Sequence, residues 1–251
     1  MRMRIILNSG GRSAGGVWIA AALLCTLPGQ GNLAQAQDVS ILVANPAQLQ
    51  NVGDAILAAA AYKESGAYDR DVAFVAQQAA DWIRERAPSA SRPALVLDID
   101  ETALSNWEVI TRDNFGRPIS GPCDLALDGP CGWAAWDRLG RDPAIVPTLR
   151  VFEQARAMSV AVFFITGRPE DQREATERNL VEAGFGGYEK LYTVPNGARY
   201  ASATDFKAPI RAEIERAGYS IIANMGDQPS DLFGGHAERL FLLPNPFYRV
   251  R

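Results

Sequence analysis

Asp98 and Asp100 are carboxylates two positions apart, directly after the apolar run Ala94-Leu95-Val96-Leu97. Such a run reads as a buried strand, and the two-residue period of a strand delivers both acids to one rim. A pair of this kind suits phosphoryl transfer through an aspartyl intermediate, in which one acid attacks and the other moves the proton. A divalent cation is then needed to offset the repulsion between carboxylate and phosphate dianion. The same residues also read as a strand end followed by an acidic turn or helix cap, so the pair alone leaves both open.

Three further segments bear on the choice. Phe163-Phe164-Ile165-Thr166-Gly167-Arg168 is a second apolar run, ending in a hydroxyl, a glycine and a cation. Thr166 and the backbone N–H groups near Gly167 can hydrogen-bond phosphoryl oxygens. A helix beginning at Pro169, with Glu170 and Asp171 in its first turn, would support such a site. Lys207 stands just ahead of a helix expected to begin near Ala208-Pro209 and to stop at Gly218. Gly226-Asp227-Gln228-Pro229-Ser230-Asp231 follows the strand-like Ser220-Ile221-Ile222-Ala223-Asn224-Met225. A lysine before a helix is usually solvated and Gly-Asp is usually a turn. Acid pair, hydroxyl, lysine and acid pair in that order, each beside a strand or helix end, is hard to obtain by chance.

With these residues, and with Glu101-Thr102-Ala103-Leu104-Ser105-Asn106 and the late Leu243-Pro244-Asn245-Pro246, the chain resembles the haloacid dehalogenase-like (HAD) superfamily. It is similar, more narrowly, to the class C or subfamily IIIB nonspecific acid phosphatases, which include plant vegetative storage proteins. The resemblance runs from about residue 45 to the C-terminus. It implies that Asp98 is the nucleophile and that Asp100 protonates the leaving alcohol and then activates water. It also implies Mg²⁺ held by Asp98, the backbone carbonyl of Asp100 and Asp227, an all-oxygen set suited to that hard cation. Asp231 would orient a metal-bound water. Thr166, Gly167 and Lys207 would bind the phosphoryl group, and Arg168 would either help them or pair with a neighbouring acid. The implied substrates are small phosphomonoesters, nucleotides included, rather than a nucleic-acid polymer. A haloacid dehalogenase of the same fold needs neither metal nor Asp100. A mutase would be unusual in an exported protein. A storage or binding protein on this scaffold would be marked by loss of the nucleophile, and Asp98 is present.

The elements that must position these residues follow the hydrophobic pattern. Strands are expected near 94–99, 159–165, 190–194, 220–225 and 239–243, with helices near 147–158, 169–183 and 208–217 and C-terminal stops at Gly184 and Gly218. That alternation predicts an α/β fold, a parallel Rossmannoid sheet with helices on both faces. Ligands in such sheets sit beyond the C-terminal strand ends, where all four segments fall. Two helices, near 47–63 and 68–86, should pack on the core from the N-terminal side, the second through Val72, Val75, Ala76, Ala79, Trp82 and Ile83. Residues 104–146 are far longer than an ordinary connection. They read as a small cap inserted after the first strand, partly helical near 133–140. Trp133 in that cap and Tyr248 after the last strand are expected over the strand ends, where two ring faces would sandwich an aryl or nucleobase group. The competing reading packs Trp133 into the cap and Tyr248 into the tail.

Composition adds exclusions. Arg2, Arg4 and Arg12 precede the apolar stretch Val17 to Leu27, and Ala34-Gln35-Ala36 supplies small residues for cleavage, so residues 1–36 read as an export signal. A lipoprotein anchored through Cys25 is disfavoured by Leu24, where a small residue would be expected. Cleavage leaves 215 of the 251 residues and, with three arginines and no acid removed, takes the formal net charge from −4 to −7. That balance disfavours nucleic acid or anionic membrane as the main partner. Cys123 and Cys131 remain as an even pair, and a bridge between them would contribute roughly 2–3 kcal/mol on chain-entropy grounds. The single histidine, His236, has no partner histidine, which argues against histidine-based hydrolase and multi-histidine zinc chemistry. It reads as a loop or surface residue.

Overall fold

The computed structural model describes residues 49–250. The expected signal segment, Cys25 and residues 47–48 of the first expected helix lie outside the described residues. Two helices come first, α1 (Val52–Glu64) and α2 (Ala67–Arg86). The side chain of Asn51 caps α1 by accepting the Gly53 N–H at 2.8 Å. The predicted face of α2 is the packed one: Val72, Ala76, Ala79 and Ile83 are buried, with Val75 and Trp82 against the same core.

Five strands follow, β1 (Pro93–Leu97), β2 (Ala161–Pro169), β3 (Lys190–Val194), β4 (Ser220–Gly226) and β5 (Leu240–Leu242). They form one parallel sheet in the order β3-β2-β1-β4-β5. β1 is therefore central, with its sequence neighbour β2 on one side and β4 on the other. The direction of winding reverses there, and this leaves a crevice at the C-terminal strand ends.

Strand alternation sets which layer each residue joins. Leu95 and Leu97 of β1 face the larger core, with α2 and α5 (Val146–Ala157). Ala94 and Val96 join Phe163, Ile165, Phe206 and Ile214 in a second cluster under α7 (Ala203–Arg216). Continuing the period, Asp98 falls on the α7 side and Ile99 on the other. The chemistry of this chain thus depends on a strand parity that the core enforces.

Two helix starts differ from expectation. α7 begins at Ala203, so Lys207 lies within the helix and Pro209 is an interior residue. Its start is fixed by a capping box: Ser202 Oγ accepts the Asp205 N–H, and the Asp205 carboxylate accepts the Ser202 N–H at 2.9 Å. β2 runs on to Pro169, a 3₁₀ turn occupies Glu170–Gln172, and α6 starts only at Arg173 and ends at Glu182. In both places a proline read as the first helical residue is something else.

The insertion after β1 holds α3 (Trp107–Arg112) and α4 (Trp133–Leu139). Cys123 and Cys131 are disulfide-bonded. Arg112 donates to the carbonyls of Asp124, Leu127 and Gly129 inside that bridged loop. Gly132 permits the loop to close, because a Cβ there would lie 2.4 Å from the Gly121 carbonyl oxygen. The two ends of the insertion are pinned together: Ser105 N–H donates to Pro143 at 2.9 Å and Ile145 N–H to Ala103 at 2.8 Å. The last helix, α8 (Pro229–Leu232), leads from β4 toward β5.

Candidate active site

Asp98 leaves β1 with its backbone N–H bonded to the Met225 carbonyl of β4, which fixes it at the crevice. On the facing turn of α7, the Lys207 ammonium lies 2.5 Å from Asp98 Oδ1 and 2.8 Å from Asp231 Oδ1. All three side chains are buried. Burial pushes Asp98 up to about 7, against the pull of Lys207. Burial also works against the lysine charge, but Asp231 and Asp98 more than restore it and hold the ammonium above its ordinary range.

Asp227 follows β4 and has no such cation. Its carboxylate accepts from the Gln228 amide at 2.7 Å, the Asn245 amide at 2.6 Å and, weakly, the Thr102 hydroxyl at 3.4 Å. Burial, reinforced by Asp231 and Asp98, drives Asp227 well above the usual carboxylate range. Asp98, Asp227 and Asp231 offer carboxylate oxygens within 4.8 Å of one another. Three converging buried acids with one ammonium among them fit a hard divalent cation. Asp231 is the least available of the three. Its Oδ2 accepts the Gln228 N–H at 2.9 Å while Oδ1 takes Lys207. Gly226 allows this close approach, since a Cβ there would meet Asp231 Cβ at 2.5 Å.

Asp100 is held quite differently. Its Oδ1 accepts from Arg168 Nη2 at 2.6 Å, Arg168 Nε at 3.1 Å and Asn106 Nδ2 at 2.9 Å. Burial alone would raise this acid, yet the guanidinium overrides it and holds the carboxyl below its ordinary range. Arg168 also pairs with Asp142 at 3.1 Å and lies 3.6 Å from Asp137, so of the two roles expected for it the ion pair is realised. Oδ2 of Asp100, touched only by a 3.4 Å contact from Arg168 Nε, is the oxygen left for a reacting group.

A cavity of about 330 Å³ joins these parts. Asp98, Asp100, Gly167, Lys207, Asp227, Asp231, Trp133 and Tyr248 all line it, so most of the expected residues converge. Thr166 is the exception. It is fully buried, and its hydroxyl accepts the Arg168 N–H at 3.1 Å, which shapes the turn that aims Arg168. The expected sandwich is also corrected. The Trp133 and Tyr248 rings touch edge to face, with centroids 5.1 Å apart and planes at 78°, and leave no slot between them. Trp133 is nearly buried with its indole N–H on Asp113, and the Tyr248 hydroxyl donates to Glu101 at 2.5 Å. Trp136 is core, its N–H shared between Asp142 and Asn106. His236 sits on the surface 2.6 Å from Glu215.

Several supporting residues escaped sequence reasoning. Glu101 is buried in a left-handed backbone conformation (φ 52°) and accepts the Asn106 N–H at 2.6 Å. Arg211, one helical turn beyond Lys207, is buried and donates to the Asp231, Phe233 and Gly235 carbonyls, fixing the loop that carries Asp231. The i, i+4 spacing of two cations in an otherwise amphipathic helix was its only signal. Asp137 and Asp142 carried none.

Residues 32–251 match the family described as HAD superfamily, subfamily IIIB (Acid phosphatase). The chain belongs to this acid phosphatase family. It is 32% identical over 160 residues to Acid phosphatase 1 of Solanum lycopersicum, covering 63% of this chain and 60% of that protein. The match thus spans less than two thirds of the tomato protein. It is 31% identical to the Stem 28 kDa glycoprotein of Glycine max over 73% of this chain and 70% of that one. The fold is that of the class C acid phosphatase from Bacillus anthracis, with a TM-score of 0.58, 19% identity, and coverage of 78% of this chain and 85% of that one. The expected family and fold class are both met.

Among the described residues, no helix is long and apolar enough to cross a membrane.

Proposed function

We propose that this family member hydrolyses small phosphomonoesters, nucleotides among them, with Mg²⁺ and through a phosphoaspartate on Asp98. The observation that carries the reading is the convergence of Asp98, Lys207 and the cation-less Asp227 in one cavity at the strand ends. Asp98 and Asp227 would hold the metal, with Asp231 orienting its surroundings. When bound, Mg²⁺ supplies the positive charge that lets a phosphate dianion approach a carboxylate.

This chain's own residues do the rest. Asp98 attacks phosphorus while Lys207 offsets the charge that gathers on the phosphoryl oxygens. The bond to the leaving oxygen breaks, and that oxygen takes the proton that Asp100 Oδ2 must first pick up from solvent, against the hold of Arg168, as the substrate binds. Asp100 then takes a proton from the water that attacks the phosphoaspartate, releasing inorganic phosphate and restoring Asp98. Arg168 and Asn106 keep Asp100 in one orientation through both halves. The Gly167 backbone lies on the cavity wall where a phosphoryl oxygen would be received.

We also propose export, with cleavage after Ala36, for which the disulfide is the supporting observation. The mature protein should have an intact mass starting at Gln37, and a lipid-modified Cys25 would contradict this. The enzymatic reading is tested with a chromogenic aryl phosphate and with nucleotide monophosphates at pH 5–7. Hydrolysis should require Mg²⁺ and vanish on exhaustive chelation. No hydrolysis with Mg²⁺ contradicts the activity, and hydrolysis that survives chelation contradicts the metal site.

A further inference from the structure

Three cations line the cavity, and two are already committed. Lys207 serves Asp98 and Asp231, and Arg168 serves Asp100 and Asp142. The third, Arg117, comes from the cap and has no carboxylate within ion-pair distance among the described residues. Its guanidinium lies over the Trp133 ring at 4.7 Å and the Tyr248 ring at 5.2 Å. The backbone that carries it is tied down, since the next two carbonyls, Pro118 and Ile119, accept the N–H groups of Trp133 and Ala134 at 2.8 and 3.1 Å. A guanidinium held against aromatic rings spends none of its N–H groups on them, and the N–H edge of Arg117 meets no acceptor among the described residues. That edge forms two parallel hydrogen bonds to a carboxylate or phosphate.

We propose that Arg117 is a specificity residue, selecting phosphomonoesters whose leaving group bears a second anionic group. The inference deepens the phosphomonoesterase reading and rests on it. The deep acids and Lys207 take the phosphoryl end, while Arg117 at the cap takes an anion on the departing alcohol. It also explains the aromatic pair: the guanidinium lies over both rings, so the task of Trp133 and Tyr248 is to hold it in place. Neither Asp137, which faces Arg168 at 3.6 Å, nor Asp100, which that guanidinium holds at 2.6 Å, pairs with Arg117.

Two hydrolysis-resistant ligands separate this from the reaction itself: benzylphosphonate and 4-carboxybenzylphosphonate, titrated calorimetrically into the full protein with Mg²⁺. Wild-type protein should bind the carboxylated ligand about tenfold more tightly, the scale of one charge-assisted contact. In Arg117→Met, which keeps an apolar stem over the rings, the ratio should fall to about one, and Arg117→Lys should keep part of it. Equal affinities in the wild type, a preference that survives in Arg117→Met, or no uptake of either ligand would each overturn the proposal. Turnover of phenyl phosphate by the wild type, scored separately, decides the reading beneath it.

Discussion

Two groups of buried acids flank the crevice, and each gathers three carboxylates around one cation. Asp98, Asp227 and Asp231 surround Lys207, and Asp100, Asp137 and Asp142 surround Arg168. The counts match but the outcomes differ. An ammonium is a compact point charge that serves two of its acids and leaves Asp227 with neutral donors only. The guanidinium of Arg168 has all three of its acids within reach of Nη2, at 2.6, 3.1 and 3.6 Å, and Nε adds a second bond to Asp100. The first group therefore still fits a further cation, whereas the second is closed in the sense that each of its acids already faces its cation. On the proposed function, the first takes up metal and phosphate and the second holds a proton-transfer group still.

The largest expected effect comes from breaking the open group at its centre. Asp98→Asn should reduce aryl phosphate turnover to background, because an amide is a far poorer nucleophile. Wild-type rates in that variant would remove the covalent route. Breaking the closed group at its working acid should cost less. Asp100→Asn should lower turnover by about 10²- to 10⁴-fold while leaving phosphate affinity nearly intact. A parallel loss of phosphate binding would mean that Asp100 serves binding rather than proton transfer.

The comparison is sharpened by removing each cation in turn. Arg168→Met strands buried carboxylates and should destabilise the fold by about 3–5 kcal/mol in urea unfolding. Lys207→Met should do likewise without metal, but saturating Mg²⁺ should recover much of its loss and little of the Arg168→Met loss. Equal recovery in both would erase the distinction between the two groups. The smallest effect is expected far from both. Reduction of Cys123–Cys131, or its replacement by serines, should cost about 2–3 kcal/mol. Unchanged stability would show that Arg112 and the loop carbonyls suffice.

The sheet and the open group were legible because both depend on local pattern. Apolar runs mark β1, β2 and β4, and Asp98, Gly167 and Asp227, one or two residues past those runs, line the cavity. The start of α7 was misread because Pro209 was given more weight than Ser202-Ala203-Thr204-Asp205, a capping pattern present in the sequence. The closed group was not legible. Asp142 and Asp137 lie in the insertion, and only folding brings them to Arg168, across 26 residues for Asp142. The ring pair was half legible: both aromatics reach the cavity, but their mutual angle is decided by side-chain packing that no spacing encodes.

The pinned ends of the insertion have a wider consequence. The chain leaves the sheet near Ala103-Ser105 and returns at Pro143-Ile145, so the cap is an excursion that begins and ends at nearly one point. Between those points the insertion meets the rest of the molecule through Asn106, Trp136, Asp137 and Asp142, through Val109, Ile110 and Trp133 in the core, through Trp107 and Phe115 against Phe247, and through Arg138 on Asp171. The cap can therefore be treated as an exchangeable cassette. Grafting a different excursion onto the same two anchors, with those contact residues retained, should redirect which esters enter while the groups proposed to cleave them stay where the sheet has put them.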